Sequence, residues 1–329
     1  MISVLKPGLL TTVQDLGRPG YQQYGVVVGG ALDAFAARTA NLIVGNDDNA
    51  AVLEMAQTGP DLRFAEETLV AWCGADFDAQ IGGEPFPRER AVRVAAGETI
   101  SFGFARSGLR AWLAIAGCID VPLVMGSRST YRRAGIGGHE GRPLVAEDIL
   151  QLGPPSDWAR QIMATLASGN KRMTAWTVRP DTMGRSAPAG VVRAMVGPEW
   201  EWFTVEAQLD FFRAEWKATR EADRMGVRLD GPELRLEKSR EMISSAVNTG
   251  IVQVPPAGKP IVLLPSRQSI GGYPRLAAIA AVDLRRFTQL RPGDGVRFEL
   301  ITLATAHELY LARERDLSRV RSGLSRLTG

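Results

Sequence analysis

Apolar residues in this chain come in short runs of six to nine positions, several with alternating polar residues and most bounded by glycine or proline. TLVAWCGA (68–75), ETISFGFA (98–105), LRAWLAIAG (109–117), GIVQVP (250–255), KPIVLLPS (259–266) and VRFELITLA (296–304) all read as β-strands. A local pattern recurs in AAGETISFG, VAEDILQLG and RPGDGVRFEL, where an acidic residue precedes a strand with apolar residues at alternating positions. It occurs twice before residue 155 and once near the end, which predicts two β-rich halves. The 35 glycines and 19 prolines are spread along the whole chain, as many tight turns between short strands require.

Helical spacing is rarer. Asp33 is placed to cap AFAARTANLIV, with Phe35, Leu42 and Ile43 near one face and Gly45 just past the end. DLRRFTQL (283–290) is a short helix stopped by Pro292 and Gly293. The stretch from PPSDW to RPDTMGRSAPAG has a different texture, with the helical pattern WARQIMATLA inside it. The expected organisation is a β-barrel domain over 1–155, a connecting segment over 156–190, a second β-barrel domain over 191–306 and a basic tail over 307–329. In the tail Leu309, Leu317, Val320, Leu324 and Leu327 recur at helical spacing, and a packed helix or a frayed end both fit.

Length supports this division, since 329 residues suit two domains of roughly 150. With 45% apolar and 23% charged residues the chain is an ordinary globular protein. Residues 311–329 hold five arginines against Glu314 and Asp316, which accounts for the whole net charge of +3. A neutral body with a basic tail does not point to nucleic acid. The N-terminus lacks the apolar core of a signal peptide and no run approaches a membrane span, so a cytoplasmic protein with no membrane partner is expected. Cys73 and Cys118 sit in apolar runs and read as reduced thiols. His139 and His307 share no metal-ligand spacing, and no G-x-S-x-G elbow is present, so neither a zinc site nor a serine triad is expected.

Three segments combine glycines with polar residues more densely than strands require. In TTVQDLGRPGYQQYGVVVGGALD, Gln14, Asp15, Arg18, Tyr21 and Asp33 are interleaved with glycines that let a backbone approach a ligand closely. The plainer alternative is that Asp15 and Arg18 brace a turn and Asp33 is a cap. In MGSRSTYRRAGIGGHEGRPL, Ser127, Arg128, Ser129 and Thr130 offer donors to a small anion, although the segment fits no phosphate loop. In KPIVLLPSRQSIGGYPRL, Arg267, Gln268 and Tyr273 flank Gly271 and Gly272 just after a strand, where neutral groups could read an amide. No acid/base pair identifies itself by spacing, so the catalytic residue stays unassigned.

Together TTVQDLGRPGYQQYGV-x-x-GGA-x-D, ANLIVGN, GSRST, GG-x-x-GR-x-L, DRMG-x-RL-x-GP, Q-V-P, GGYP and QLRPGD-x-VRF resemble the carboxyltransferase subdomain C/D family over roughly residues 3–306. That family includes the C subunit of 5-oxoprolinase, allophanate hydrolase subunit 2-like proteins, the regulator KipA and part of urea carboxylase. The resemblance implies two tandem cyclophilin-like β-barrels, mainly β with a few short helices. It adds Arg142, Asp223, Arg224 and Gln253, which stand within those motifs, to the candidate residues. It also implies a companion of subdomain A/B type (the B subunit of 5-oxoprolinase, or a KipI-like protein), possibly the A subunit too, and a small lactam or amide substrate.

By the same resemblance, the expected activity is ATP-dependent lactam opening, 5-oxoproline to glutamate, by a non-autonomous subunit. The alternatives are KipA-like binding of a kinase inhibitor, or a biotin-dependent carboxyltransferase component. With neither an ATP motif nor a biotinyl-lysine signature, the chain is expected to bind no cofactor alone. ATP with Mg would then serve the assembled complex, or carboxybiotin would sit on a partner. The chain departs from the usual pattern at Val27, Leu32, Cys118, Ala222 and Ser266.

Overall fold

The computed structural model describes residues 1–178 and 190–327. They group into two compact units, one of residues 1–18, 29–178 and 315–327, the other of 19–28 and 190–314. Residues 179–189, within the expected connecting segment, lie outside the described residues.

The first unit contains β1 (Ile2–Lys6), β2 (Leu10–Gln14), α1 (Ala34–Ile43), β3 (Val52–Ala56), β4 (Asp61–Phe64), β5 (Thr68–Ile81), β6 (Glu84–Pro85), β7 (Val92–Val94), β8 (Thr99–Ile115), β9 (Ile149–Leu150) and α2 (Asp157–Ser168). Nine strands form one curled half-barrel with the path β2-β3-β8-β4-β1-β9 and β5 attached to β8. The runs at 98–105 and 109–117 prove to be one strand, β8. It pairs with β5 from Val70↔Ile115 to Ile81↔Ile100, with register shifts between Gly74 and Ala79. Such irregularities add twist, which lets two long strands curl around a core instead of lying flat. Trp72 sits in that core, with the Phe102 ring centroid 5.5 Å away and edge-on.

Helix α1 forms as its sequence implies. The Asp33 carboxylate accepts from Ala36 N–H at 3.0 Å, and Gly45 takes a left-handed φ of 73° just beyond the C-cap. The outer edge of β2 is not left to solvent. Thr130 N–H and Leu144 N–H donate to Val13 and Thr11 carbonyls, each at 2.9 Å, so the 127–144 segment covers the edge.

The second unit contains β10 (Val191–Val196), α3 (Val205–Arg213), β11 (Trp216–Ala222), β12 (Gly226–Asp230), β13 (Ser245–Ala246), β14 (Ile251–Gln253), β15 (Ile261–Leu263), β16 (Ile270–Gly271), β17 (Arg275–Ile279), α4 (Leu284–Gln289) and β18 (Gly295–Leu300). Seven strands close a barrel in the order β10-β17-β14-β15-β12-β11-β18, sealed by parallel pairing of β18 with β10. Phe211 of α3 stacks on Phe298 at 4.3 Å. The protein is therefore mainly β with a few helices, as expected, and only the second sheet closes fully. Helix α5 (Leu303–Ser325) carries the basic tail and buries Leu309, Leu317, Val320 and Leu324, whereas Leu327 is exposed. Arg321 pairs with Asp48 at 2.5 Å and Arg313 donates to the Val282 carbonyl, so part of the tail's charge serves packing.

A buried ion pair fixes the turn that leads into α4. Arg193 donates from its backbone N–H, Nε and Nη2 to the two carboxylate oxygens of Asp283 at 2.9, 2.7 and 2.8 Å. Removing one partner strands the other charge away from water. Asp283→Ala is expected to cost about 3–5 kcal/mol, measured by denaturant unfolding, while Arg193→Met with Asp283→Leu should recover much of that loss.

Candidate functional site

The polar residues of the first unit converge on Asp15, which is buried. Its Oδ1 accepts from Gly17 N–H at 2.8 Å, Ser127 Oγ at 2.6 Å and Ser129 Oγ at 2.5 Å, and its Oδ2 from Arg128 N–H at 2.6 Å. Four donors satisfy a charge that burial would otherwise penalise. Arg18 is fully buried and donates to the Ser129 and Val124 carbonyls. Burial pushes its guanidinium below the ordinary value, with Asp15 pulling the other way. Gly137 must be glycine here: at φ 69°, a Cβ would strike the Ser129 carbonyl and fall 2.6 Å from Arg18 Nη2. Gln14 is also buried, donating to Thr12 Oγ1 and Thr130 O. The structure thus brings Gln14, Asp15, Arg18, Ser127, Arg128, Ser129 and Thr130 together, with their polar groups directed largely at one another.

Three other candidates stand apart from that hub. Asp33 caps α1. Arg142 grips both oxygens of Asp148 at 2.8 Å, with His139 Nε2 3.4 Å from the same carboxylate. Tyr21 belongs to the second unit, where its carbonyl accepts from Tyr24 N–H at 3.0 Å. Cys118 accepts from Ala51 N–H at 3.1 Å, and burial pushes its thiol up.

The second unit holds a cleft of about 530 Å³ beside the β11–β12 hairpin, a size typical of small-molecule pockets, which span about 300–1,000 Å³. Asp223, Gln253, Gln268 and Tyr273, all expected from the sequence, line it together with Arg220, Glu221, Met225 and Arg228, which were not. Asp223 uses Oδ1 to accept from Met225 and Gly226 N–H at 2.7 and 3.1 Å, holding the β11–β12 turn. Gln253 is buried and donates to the Tyr273 carbonyl at 3.0 Å. Gly271 makes room for it, since a Cβ there would lie 2.6 Å from Gln253 Nε2. Arg228 Nε lies 3.0 Å from Glu221 Oε2. Ile261 and Leu263 supply apolar wall.

Arg267 is buried and donates to the Val247 carbonyl and Asn248 Oδ1 at 3.2 and 3.3 Å, its guanidinium pushed down by burial. Arg224 contributes its carbonyl to Ser266 N–H at 3.0 Å. Gly272 is exposed, packed by Ser244. Among the described residues no cluster of three or more His, Cys, Asp or Glu side chains could hold a metal ion. No helix among them is long and apolar enough to cross a membrane.

Residues 24–300 match the family model described as "Carboxyltransferase domain, subdomain A and B". The chain belongs to the carboxyltransferase-domain family. It is 37% identical to the C subunit of 5-oxoprolinase from Escherichia coli over 306 residues, covering 93% of each chain. To the C subunit of 5-oxoprolinase from Haemophilus influenzae it is 32% identical over 321 residues and 98% of each chain. In three dimensions it resembles the Kluyveromyces lactis urea carboxylase with a TM-score of 0.87 at 27% identity, covering 98% of this chain and 29% of that one. The family model's label is A and B where the motifs alone pointed to C/D.

Within this carboxyltransferase-domain fold the two polar groups behave differently. In the hub of the first unit the Asp15 carboxylate is fully partnered while Gln14 Oε1 and Arg18 Nη1 are buried without a hydrogen-bond partner, whereas the cleft of the second presents Arg220, Gln268 and Tyr273 at its surface with no side-chain partner among the described residues. Asp15→Ala is expected to lower stability by about 2–5 kcal/mol, seen as an early unfolding midpoint, and Arg18→Ala should behave alike. The hydrogen bonds from Arg142, against the opposing effect of burial, hold the Asp148 carboxyl down to about 2 from an ordinary 3.8. Because the folded value is depressed, the stabilisation is present above about pH 4 and is lost as pH falls towards 2. Acid unfolding followed by circular dichroism should therefore show a steeper loss in that window for the wild type than for Asp148→Asn.

Proposed function

We propose that this chain is a non-autonomous subunit of an ATP-dependent 5-oxoprolinase-like amidohydrolase that opens a lactam, 5-oxoproline or a related amide. The observation that carries the reading is the cleft, which offers amide-reading groups and one partly uncommitted carboxylate, Asp223, without a nucleophile–base pair beside them. The identity to the C subunits of two 5-oxoprolinases along almost their whole length supports it. The matching family model describes two subdomains of a carboxyltransferase domain, and in this reading a companion protein supplies the rest. The A/B letters expected for that companion fall to this chain itself.

In this reading the chain orients an unreactive amide, and the companions bring ATP with Mg and the activating chemistry. Gln268 and Tyr273 hold the amide edge, a positioning role that lowers the barrier by fixing geometry. In this reading the Asp223 carboxylate takes a proton from the water that adds to the carbonyl and passes it to the ring nitrogen, which leaves as an amine. No phosphate-cradling glycine loop occurs in the described residues of the cleft, which is why ATP is assigned elsewhere.

A second reading is favoured by the urea carboxylase likeness over 98% of the chain: a carboxyltransferase component served by carboxybiotin on a partner. The two separate in one assay. Purified with its companion subunits, the chain should support glutamate formation from 5-oxoproline that requires ATP, and by itself it should show none. Product formation that instead requires a biotinylated protein and bicarbonate selects the second reading. Stoichiometric binding of a partner with no turnover under either condition rejects both.

A further inference from the structure

The cleft of the second unit contains charged and neutral groups in two different states, some committed to the fold and some not. Arg228 is paired to Glu221 at 3.0 Å. Asp223 spends Oδ1 on the turn it closes. Gln253 is fixed by its bond to the Tyr273 carbonyl. Three lining groups have no side-chain partner among the described residues: the Arg220 guanidinium, the Gln268 carboxamide and the Tyr273 hydroxyl. A polar group that borders a cleft and is not used by the fold is available to a ligand.

We infer that the cleft binds an amide-bearing monocarboxylate, with Arg220 as the residue that recognises the carboxylate and Gln268 with Tyr273 reading the amide. The charges select against a phosphate. Arg220 and Arg228 are offset by Glu221 and Asp223 on the same walls, so a dianion would meet two carboxylates for one uncommitted guanidinium. A single carboxylate matches that guanidinium, which presents a planar pair of N–H donors. The carboxamide and the phenol each donate and accept, the complement of an amide's carbonyl and N–H. Ile261 and Leu263 give the methylenes of a small ring an apolar surface. Arg220 lies on β11 and Arg228 on the paired β12, so carboxylate recognition rests on the barrel wall instead of a loop. A loop residue, Gln268, and the rim residue Tyr273 then read the other end of the ligand.

The inference takes its substrate class from the lactam reading above and adds the residue that sets it. The test is ligand-observed NMR titration of the full chain with L-5-oxoproline, its carboxamide and 2-pyrrolidinone, the last two lacking the charged carboxylate. The wild type should bind 5-oxoproline about tenfold or more tighter than either uncharged analogue. Arg220→Gln should abolish that preference while leaving weak binding of all three, and Gln268→Ala should weaken all three together. Both side chains border solvent, so thermal melts of the variants should match the wild type. Equal binding of the three probes by the wild type, or a preference that survives in Arg220→Gln, overturns the assignment. In the assembled complex, Arg220→Gln should raise KM for 5-oxoproline with kcat little changed. ATP-coupled activity with an unchanged KM sinks the Arg220 assignment and keeps the function. A carboxylate preference that follows Arg220, with no activity in the complete complex, does the reverse.

Discussion

The first unit depends on one buried carboxylate. Asp15 is joined to Ser127, Arg128 and Ser129, more than a hundred residues away in sequence, and the loop those residues form covers the outer edge of β2. An open half-barrel has edges that need covering, and a buried charge needs a full set of donors. One arrangement meets both needs. The surrounding composition follows from it: serines because hydroxyls can donate to Oδ1, an arginine because the carbonyls turned inward need donors, and Gly137 because any side chain would strike Ser129 and Arg18.

The second unit solves its edge problem by closing the barrel, and its polar groups are therefore released from that duty. Some are still structural, as Arg193 with Asp283 and the buried Arg267 demonstrate. Those around the cleft divide into groups spent on the fold and groups left open. Asp223 belongs to both, with Oδ1 closing a turn and the residue lining the cleft. Density of polar residues does not distinguish a site from a brace. The state of their hydrogen bonds taken with their exposure does, since the unpartnered Gln14 Oε1 and Arg18 Nη1 are sealed in the interior while Tyr273 is exposed.

Much of this was legible in the sequence, for identifiable reasons. The cap at Asp33, the stop at Gly45 and the short α4 are local, and local signals survive folding. Gln268, Gly271 and Tyr273 were visible because a glycine pair after a strand marks a loop built for close approach. The continuity of β8 was hidden, because glycines and charges at 103–108 imitate a turn when they in fact sit at irregularities of a curled sheet. Arg220 and Arg228 were hidden because they lie inside strands, where an exposed arginine is ordinary. Only the pairing of β11 with β12, shifted in register between Ala218 and Ala222, shows that both line one cleft. The motif order led to the carboxyltransferase-domain family, whereas the matching family model carries the subdomain letters A and B rather than C/D.

The proposed role as one subunit among several also fits the chemistry of the cleft. An enzyme that worked alone would need its acid, its base and its activating group within reach of one bound substrate. Among the described residues that line the cleft, the side chains without a side-chain partner include a cation, an amide and a phenol, beside a carboxylate half used by a turn. Those groups can hold and orient an amide, but hydrogen bonds of this kind do not by themselves turn a resonance-stabilised amide into a good electrophile. A barrel of the second unit's design is suited to holding and orienting, because its walls are rigid strands and a positioning site gains most from rigidity. In the proposed reading activation arrives on another surface, which leaves recognition, and with it specificity, as the part of that reaction assigned to this chain's own residues.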